Sequence, residues 1–235
     1  MRATTTSRYI ALVYKDHLND KKTYRRLSRA NALNELDRIK KQVLAWLKKY
    51  KDIIPDSEKT YIKRSTSITN DKGEYLFAHF YVTGKVHKAG PLKTRPIVSV
   101  SGSILEGIGK WVDRYMQPYA RNTTNYVSSS QDLLKKLSKL PKLPLTVQLF
   151  TFDARSMYTN IETDYTLELL RGEIPDHVLE ALRIIMKNNV FQFSDRFYHQ
   201  IDGTAMGTPP ACTWATMAFS KHENKLRQDL FGGFF

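Results

Sequence analysis

The chain is short of cysteine, of acid and of long apolar runs. One cysteine, Cys212, excludes a disulfide framework and a cysteine-based zinc cluster, and fits a reducing compartment. No apolar run reaches the length of a bilayer span. The N-terminus, Met1-Arg2-Ala3-Thr4-Thr5-Thr6, lacks the apolar core of a secretory signal. The expected location is therefore intracellular, nuclear or cytoplasmic, with no membrane partner. No internal repeat is present. Acidic residues number 23 against 37 lysines and arginines, a formal charge of +14 at pH 7. That excess points to a polyanionic partner, nucleic acid before an anionic membrane surface. A hydrophobic content of 41% supports a core and excludes wholesale disorder. Thirteen tyrosines and eleven phenylalanines beside the basic residues suit base stacking and phosphate contact, although most of those rings are needed inside.

Local patterning sets expectations for the elements. Tyr9–Tyr14 is a short β-branched and aromatic run that reads as a strand. The clearest amphipathic helix spans about Asn31 to Tyr50, with Leu33, Leu36, Ile39, Val43, Leu47 and Tyr50 on one stripe. Asn70-Asp71-Lys72-Gly73 is a turn signal, and pairing of Tyr61-Ile62 with Tyr75-Leu76-Phe77 is expected across it. A β-rich stretch from Leu76 to His87 and a short strand at Arg95–Val100 follow. Helical spacing returns from Ser103 through Tyr115, and a short basic helix covers Gln131–Leu140 before Pro141 and Pro144. Further helices are expected at Thr163–Arg171, at Asp176–Asn189 and from about Ala211 to Leu230, with a β-hairpin at Val190–Phe193 and Phe197–Ile201.

Three segments carry the chemistry. Thr146–Phe152 reads as a buried strand that stops at one carboxylate, Asp153. A carboxylate leaving a core can hold a hard cation such as Mg²⁺; an isolated one more often caps a turn. A basic hairpin ends in Arg95-Pro96-Ile97-Val98-Ser99 and can neutralise a triphosphate. The third segment, Gly203-Thr204-Ala205-Met206-Gly207-Thr208-Pro209, lets backbone approach a partner closely before a helix opens.

In this order the segments resemble the reverse transcriptases, most closely those of Penelope-like retroelements. The resemblance rests on Gly84-Lys85-Val86-His87-Lys88 with Arg95–Ser99, on Phe152–Ile161, and on Lys187-Asn188-Asn189 through Gly203–Pro209. The weaker His17-Leu18-Asn19-Asp20 with Thr23-Tyr24 also fits. It implies an α+β fold: a helical N-terminal region over residues 1–75, polymerase fingers over 76–145 and part of a right-hand palm over 146–235. It implies RNA-directed DNA synthesis, with an RNA template, a DNA primer and deoxynucleoside triphosphates as partners and Mg²⁺ or Mn²⁺ as cofactor. On this resemblance Asp153 is the first catalytic carboxylate and a metal ligand, with the Ala154 backbone as a second ligand. Tyr158 excludes a ribose 2′-hydroxyl by bulk, which argues against an RNA-directed RNA polymerase. Arg95 grips the triphosphate, assisted by Lys85 or Lys88, and Met206 and Gly207 support the nascent base pair. Many other reverse transcriptases carry Gln where this chain has Met206.

The family's second acidic motif is an aromatic-x-Asp-Asp hairpin, and no Asp-Asp pair occurs in this sequence. Of the acids after Asp153, Asp202, Glu223 and Asp229 lack that hairpin context. The expectation is a fingers-plus-partial-palm fragment, truncated before the second acidic motif and the thumb, that does not polymerise alone. The alternative is a non-catalytic nucleic-acid-binding fragment, which the charge supports equally.

Overall fold

The computed structural model describes residues 5–85, 92–142, 144–148, 151, 153–154 and 157–231. It is a mixed α+β fold. In chain order the elements are α1 (Thr6–Val13), which runs into a π-helical turn at Tyr14–Leu18, then β1 (Tyr24–Leu27), α2 (Arg29–Lys49) and α3 (Asp56–Ser65). The hairpin β2 (Ala78–Gly84) and β3 (Thr94–Ser99) follows, then α4 (Glu106–Arg121), α5 (Ser130–Leu137), α6 (Met157–Asn160), α7 (Thr163–Leu169) and α8 (Asp176–Lys187). The hairpin β4 (Asn189–Phe193) and β5 (Arg196–Gln200) leads to the closing helix α9 (Ala211–Phe231).

The described strands form one sheet in the order β1-β5-β4-β2-β3. All pairs are antiparallel except β2 with β4, which is the join between the two hairpins. The sheet takes strands from the N-terminal, the middle and the C-terminal thirds of the chain. Period-2 alternation divides its faces. Tyr24, Phe80, Val98, Phe191, Phe193 and Tyr198 turn to one core, with Val13 and Leu18 as its cover. Phe80, Phe191 and Tyr198 stack across adjacent strands at 5.1 and 5.7 Å. Val190 and Phe197 turn to the other face, against α2, α4, α8 and α9. All three tryptophans lie in this second core, with Trp46 and Trp111 edge to face at 5.1 Å. Pro96 is tolerated because β3 is an edge strand that pairs only with β2, so no ladder bond is lost to its missing N–H.

The helices expected from periodicity form within a few residues of their expected ends. Ser28 caps α2 by accepting from Asn31 N, and Lys48 and Lys49 lie in its last turn, favourable at the negative end of the helix dipole. The two expected hairpins at 78–99 and 189–200 are also present.

Three local expectations are corrected. Tyr9–Tyr14 is helical, not a strand. Thr5 caps the helix by accepting from Arg8 N, and Tyr9, Ile10, Val13 and Tyr14 share one helical stripe that packs onto the sheet, with Tyr14 5.9 Å from the Phe193 ring. Tyr61 and Ile62 lie inside α3; the turn at Asn70–Gly73 forms, but it returns Tyr75 to Thr69. Acidic Asp56 and Glu58 in the first turn of α3 and burial of Ile62 against α4 outweigh the local β signal. The third correction concerns the approach to Asp153. Residues 144–148 are a turn, closed by Val147 N donating to Pro144 O, and Val147 is exposed at 51%, so the start of the expected strand at 146–148 is not a strand; Leu149, Phe150 and Phe152 of that expectation lie outside the described residues. A strand needs a ladder partner, and these residues join none of the five described strands. No helix among the described residues is long and apolar enough to cross a membrane.

Candidate functional site

The glycine-rich turn 203–208 is the hinge of the site. Gly203 and Gly207 adopt φ of 69° and 101°, where a side chain is strained. A Cβ on Gly203 would sit 2.9 Å from Thr159 Cα, and one on Gly207 would sit 2.6 Å from Val98 O. Both glycines are therefore needed for the close approach itself. The backbone completes the join: Val98 N donates to Met206 O at 2.6 Å, and Thr204 N donates to Tyr158 O at 2.7 Å. The Trp214 indole, from α9, donates to Thr204 Oγ1 at 2.8 Å and fixes the turn from behind. The turn thus docks on the edge strand β3 at one end and on α6 at the other.

This docking closes a cavity of about 270 Å³. Lys85 stands at the end of β2, Arg95 and Pro96 on β3, Met206 on the turn and Thr159 on α6; Asp16, His17 and Asp20 close it from the N-terminal segment. Three residues assigned to substrate by sequence, Lys85, Arg95 and Met206, therefore line one cavity. Gly207 lies beside it, pressed on Val98. Lys88 lies outside the described residues.

The N-terminal wall is hydrogen-bonded to β3. Thr94 Oγ1 donates to Asp16 Oδ2 at 2.7 Å and lies 2.8 Å from His17 Nε2. Asp20 accepts from the Thr23 hydroxyl and from Lys22 N, and the Thr23 bond is the main reason its carboxyl is held below the usual range. Burial pushes the His17 imidazole below its ordinary value; Asp16 opposes that and Lys85 adds to it. The result is a pocket with two permanent cations on one side and two carboxylates on the other.

Tyr158 faces elsewhere. Its hydroxyl lies 3.4 Å from Cys212 Sγ, in a separate cavity of about 420 Å³ between α6 and α9. Burial, then the contact with Cys212, pushes the phenol up to about 12, so the ring is neutral at physiological pH. Adjacent residues of α6 thus serve the two cavities, Thr159 the first and Tyr158 the second.

Asp153 and Ala154 are exposed. Among the described residues, no group of three or more His, Cys, Asp and Glu is arranged to hold a metal ion. One exposed carboxylate and one backbone carbonyl fit a single hard cation whose remaining ligands are water and phosphate oxygens. They do not by themselves fit a pair of ions.

Sequence reasoning gave no role to Asp16 or Thr94, and noted His17 and Asp20 only through the family resemblance. Periodicity carries no sign of them, because their partners lie on β3, 78 residues away in the case of Asp16 and Thr94. Comparison with protein-family models, with curated proteins and with solved structures finds no match.

Proposed function

We propose that the chain is the fingers and part of the palm of a reverse transcriptase of the Penelope-like kind, a module that binds an RNA template, a DNA primer and deoxynucleoside triphosphates. The observation that carries this reading is the shared cavity of Lys85, Arg95 and Met206, closed by backbone bonds from β3 and α6 to the turn 203–208. The β2–β3 hairpin, α6 and the 203–208 turn, far apart in the chain, share this cavity, which offers two cations for phosphate and a close backbone approach. Arg95 supplies a planar fork for phosphate oxygens and Lys85 a point charge. Asp153 with the Ala154 backbone would hold Mg²⁺ or Mn²⁺, which supplies charge neutralisation at the transferring phosphate when bound. The resemblance gives Tyr158 a role on the sugar, but its ring lies in the separate cavity beside Cys212, so that role is not part of this reading.

A second reading is favoured by the exposure of Asp153. Its carboxylate is exposed and, among the described residues, belongs to no group arranged to hold a metal ion. A nucleic-acid-binding module needs no such group, and the net charge of +14 suffices for it.

One set of assays separates the two. An RNA–DNA hybrid should bind with log affinity falling linearly as log salt rises. Deoxynucleoside triphosphate should bind as well, and Arg95→Ala should weaken it by roughly 10- to 100-fold, the loss of a charge-assisted hydrogen bond of about 1.5–3 kcal/mol. These 235 residues should give no primer extension with Mg²⁺ or Mn²⁺. Template-dependent extension abolished by Asp153→Ala would overturn that last expectation and assign the catalytic carboxylate. Hybrid binding without triphosphate binding would leave only the binding module. Asp153→Ala should leave stability within about 0.5 kcal/mol, as for an exposed residue.

A further inference from the structure

The N-terminal wall of the cavity contains a hydrogen-bond chain whose direction is determined. A carboxylate only accepts, so the single proton of the Thr94 hydroxyl goes to Asp16 at 2.7 Å. At its other contact, 2.8 Å from His17 Nε2, the same oxygen must therefore accept. The imidazole is thus the Nε2–H tautomer, and Nδ1 is the ring's basic nitrogen, with no hydrogen-bond partner among the described residues. The ring is held in place by Thr94 on one side and by the Phe80 ring 6.3 Å away on the other. Asp16, His17, Lys85 and Arg95 line the same cavity.

We propose that His17 is a third cation of this pocket, recruited only when an oligophosphate enters, so that binding of the anion takes up a proton. This rests on the triphosphate-binding reading for the class of ligand. The step is simple in its balance. A proton from solvent adds to Nδ1, Nε2–H stays on Thr94, and the neutral ring becomes an imidazolium beside the bound phosphates. Without ligand, the groups facing the ring are balanced against that charge. Lys85 at the end of β2 repels it and Asp16 from its own segment attracts it; Arg95 on β3 and Asp20 line the same cavity, and Tyr24 on β1 stays protonated, being strongly raised by burial. Burial tips the balance toward the neutral ring, which lies below its ordinary value. A polyanion between Lys85, Arg95 and His17 cancels the repulsion and raises the pKa in the complex.

The sign follows. Uptake occurs between the free pKa and the complex pKa. Affinity therefore rises as pH falls through the complex value and levels off below the free value. One coupled proton changes affinity by at most about tenfold per pH unit.

The test is calorimetry of the full chain with inorganic tripolyphosphate at pH 7, in two buffers of different ionisation enthalpy, on wild type and His17→Gln. The Gln amide keeps a donor for Thr94 and cannot titrate. Wild type should show proton uptake that His17→Gln lacks, and the variant should bind several-fold more weakly at pH 6 but about equally at pH 8.5. Equal uptake in both proteins, with binding intact, overturns the role of His17 and leaves the triphosphate reading standing. No binding of tripolyphosphate or of a deoxynucleoside triphosphate by wild type overturns both. A measurement without substitution guards against a misfolded variant. Among the six histidine rings of wild type, followed by NMR, one pKa should rise on adding tripolyphosphate; if none rises, the proposal is wrong.

Discussion

Gly207→Ala tests the join on which the site depends. At φ 101° an L-residue is strained, which costs about 1–3 kcal/mol. The new methyl would also sit 2.6 Å from Val98 O, and the neighbour it meets is backbone, not a flexible side chain. The turn must therefore withdraw from β3, and the Val98 N to Met206 O bond goes with it, a further 0.5–1.5 kcal/mol or so. The sum is about 2–4 kcal/mol, a large fraction of a domain's typical 5–15 kcal/mol. Gly73→Ala is the internal control. Gly73 has φ 73° with nothing within 4 Å of a Cβ, so it carries the conformational cost alone, about 1–2 kcal/mol. Urea denaturation of the two variants and wild type gives the difference. Gly207→Ala should be the less stable by at least about 1 kcal/mol, and should lose triphosphate binding because Met206 is drawn out of the cavity. If the two variants are equally stable, the contact with Val98 is soft and the turn is not what closes the pocket.

Two further outcomes are expected. Trp214 is fully buried and its indole N–H donates to Thr204, so Trp214→Ala should cost about 3–5 kcal/mol, while Trp214→Phe, which keeps most of the volume, should cost roughly 1–3 kcal/mol; denaturant titration checks both, and a near-neutral Trp214→Ala would mean that α9 does not anchor the turn. The pH dependence follows from His199, whose Nδ1 accepts from Arg25 at 3.3 Å and whose Nε2 donates to Lys187 O at 3.0 Å. Burial first pushes its pKa below the ordinary value; the Lys187 carbonyl opposes that and Arg25 adds to it. The unfolded ring binds its proton near pH 6.5, before the folded ring does, so stability is full above that value and falls as pH drops toward the folded pKa. The urea midpoint should therefore fall as pH drops from about 7.5 through about 6.5, and His199→Gln should flatten the slope; an unchanged slope would place the titration elsewhere, with His17 and His177, both also lowered by burial, as the next candidates.

Much of the fold was legible because it is local. The stripe of α2, the heavily apolar face of α8 and the two hairpins are periodic patterns read over ten to twenty residues, and all four formed. Where tertiary contacts competed with composition, composition lost. Tyr9–Val13 carries a strand's residues and forms a helix, since its stripe covers the sheet face around Phe193. Thr146 and Val147 carry a strand's residues too, and join none of the described strands. The candidate site divides in the same way. Arg95 and the glycines at 203 and 207 were visible as residue types suited to phosphate and to close backbone approach, whereas Met206, and Lys85 with Lys88 left open beside it, entered only through the family resemblance.

What the sequence alone determined is the set of periods, the turn positions with their glycines, and the excess of positive charge, because each depends only on neighbours along the chain. Only the tertiary structure decided which of these share a cavity. Asp16 and His17 meet Thr94, and Met206 meets Val98, through hydrogen bonds between segments that no local pattern links. It also separated Tyr158, beside Cys212, from the cavity that its neighbour Thr159 lines. The physical reason is that propensity and period limit the shape of each segment, whereas partners are assigned when burial brings unsatisfied donors and acceptors from distant segments face to face.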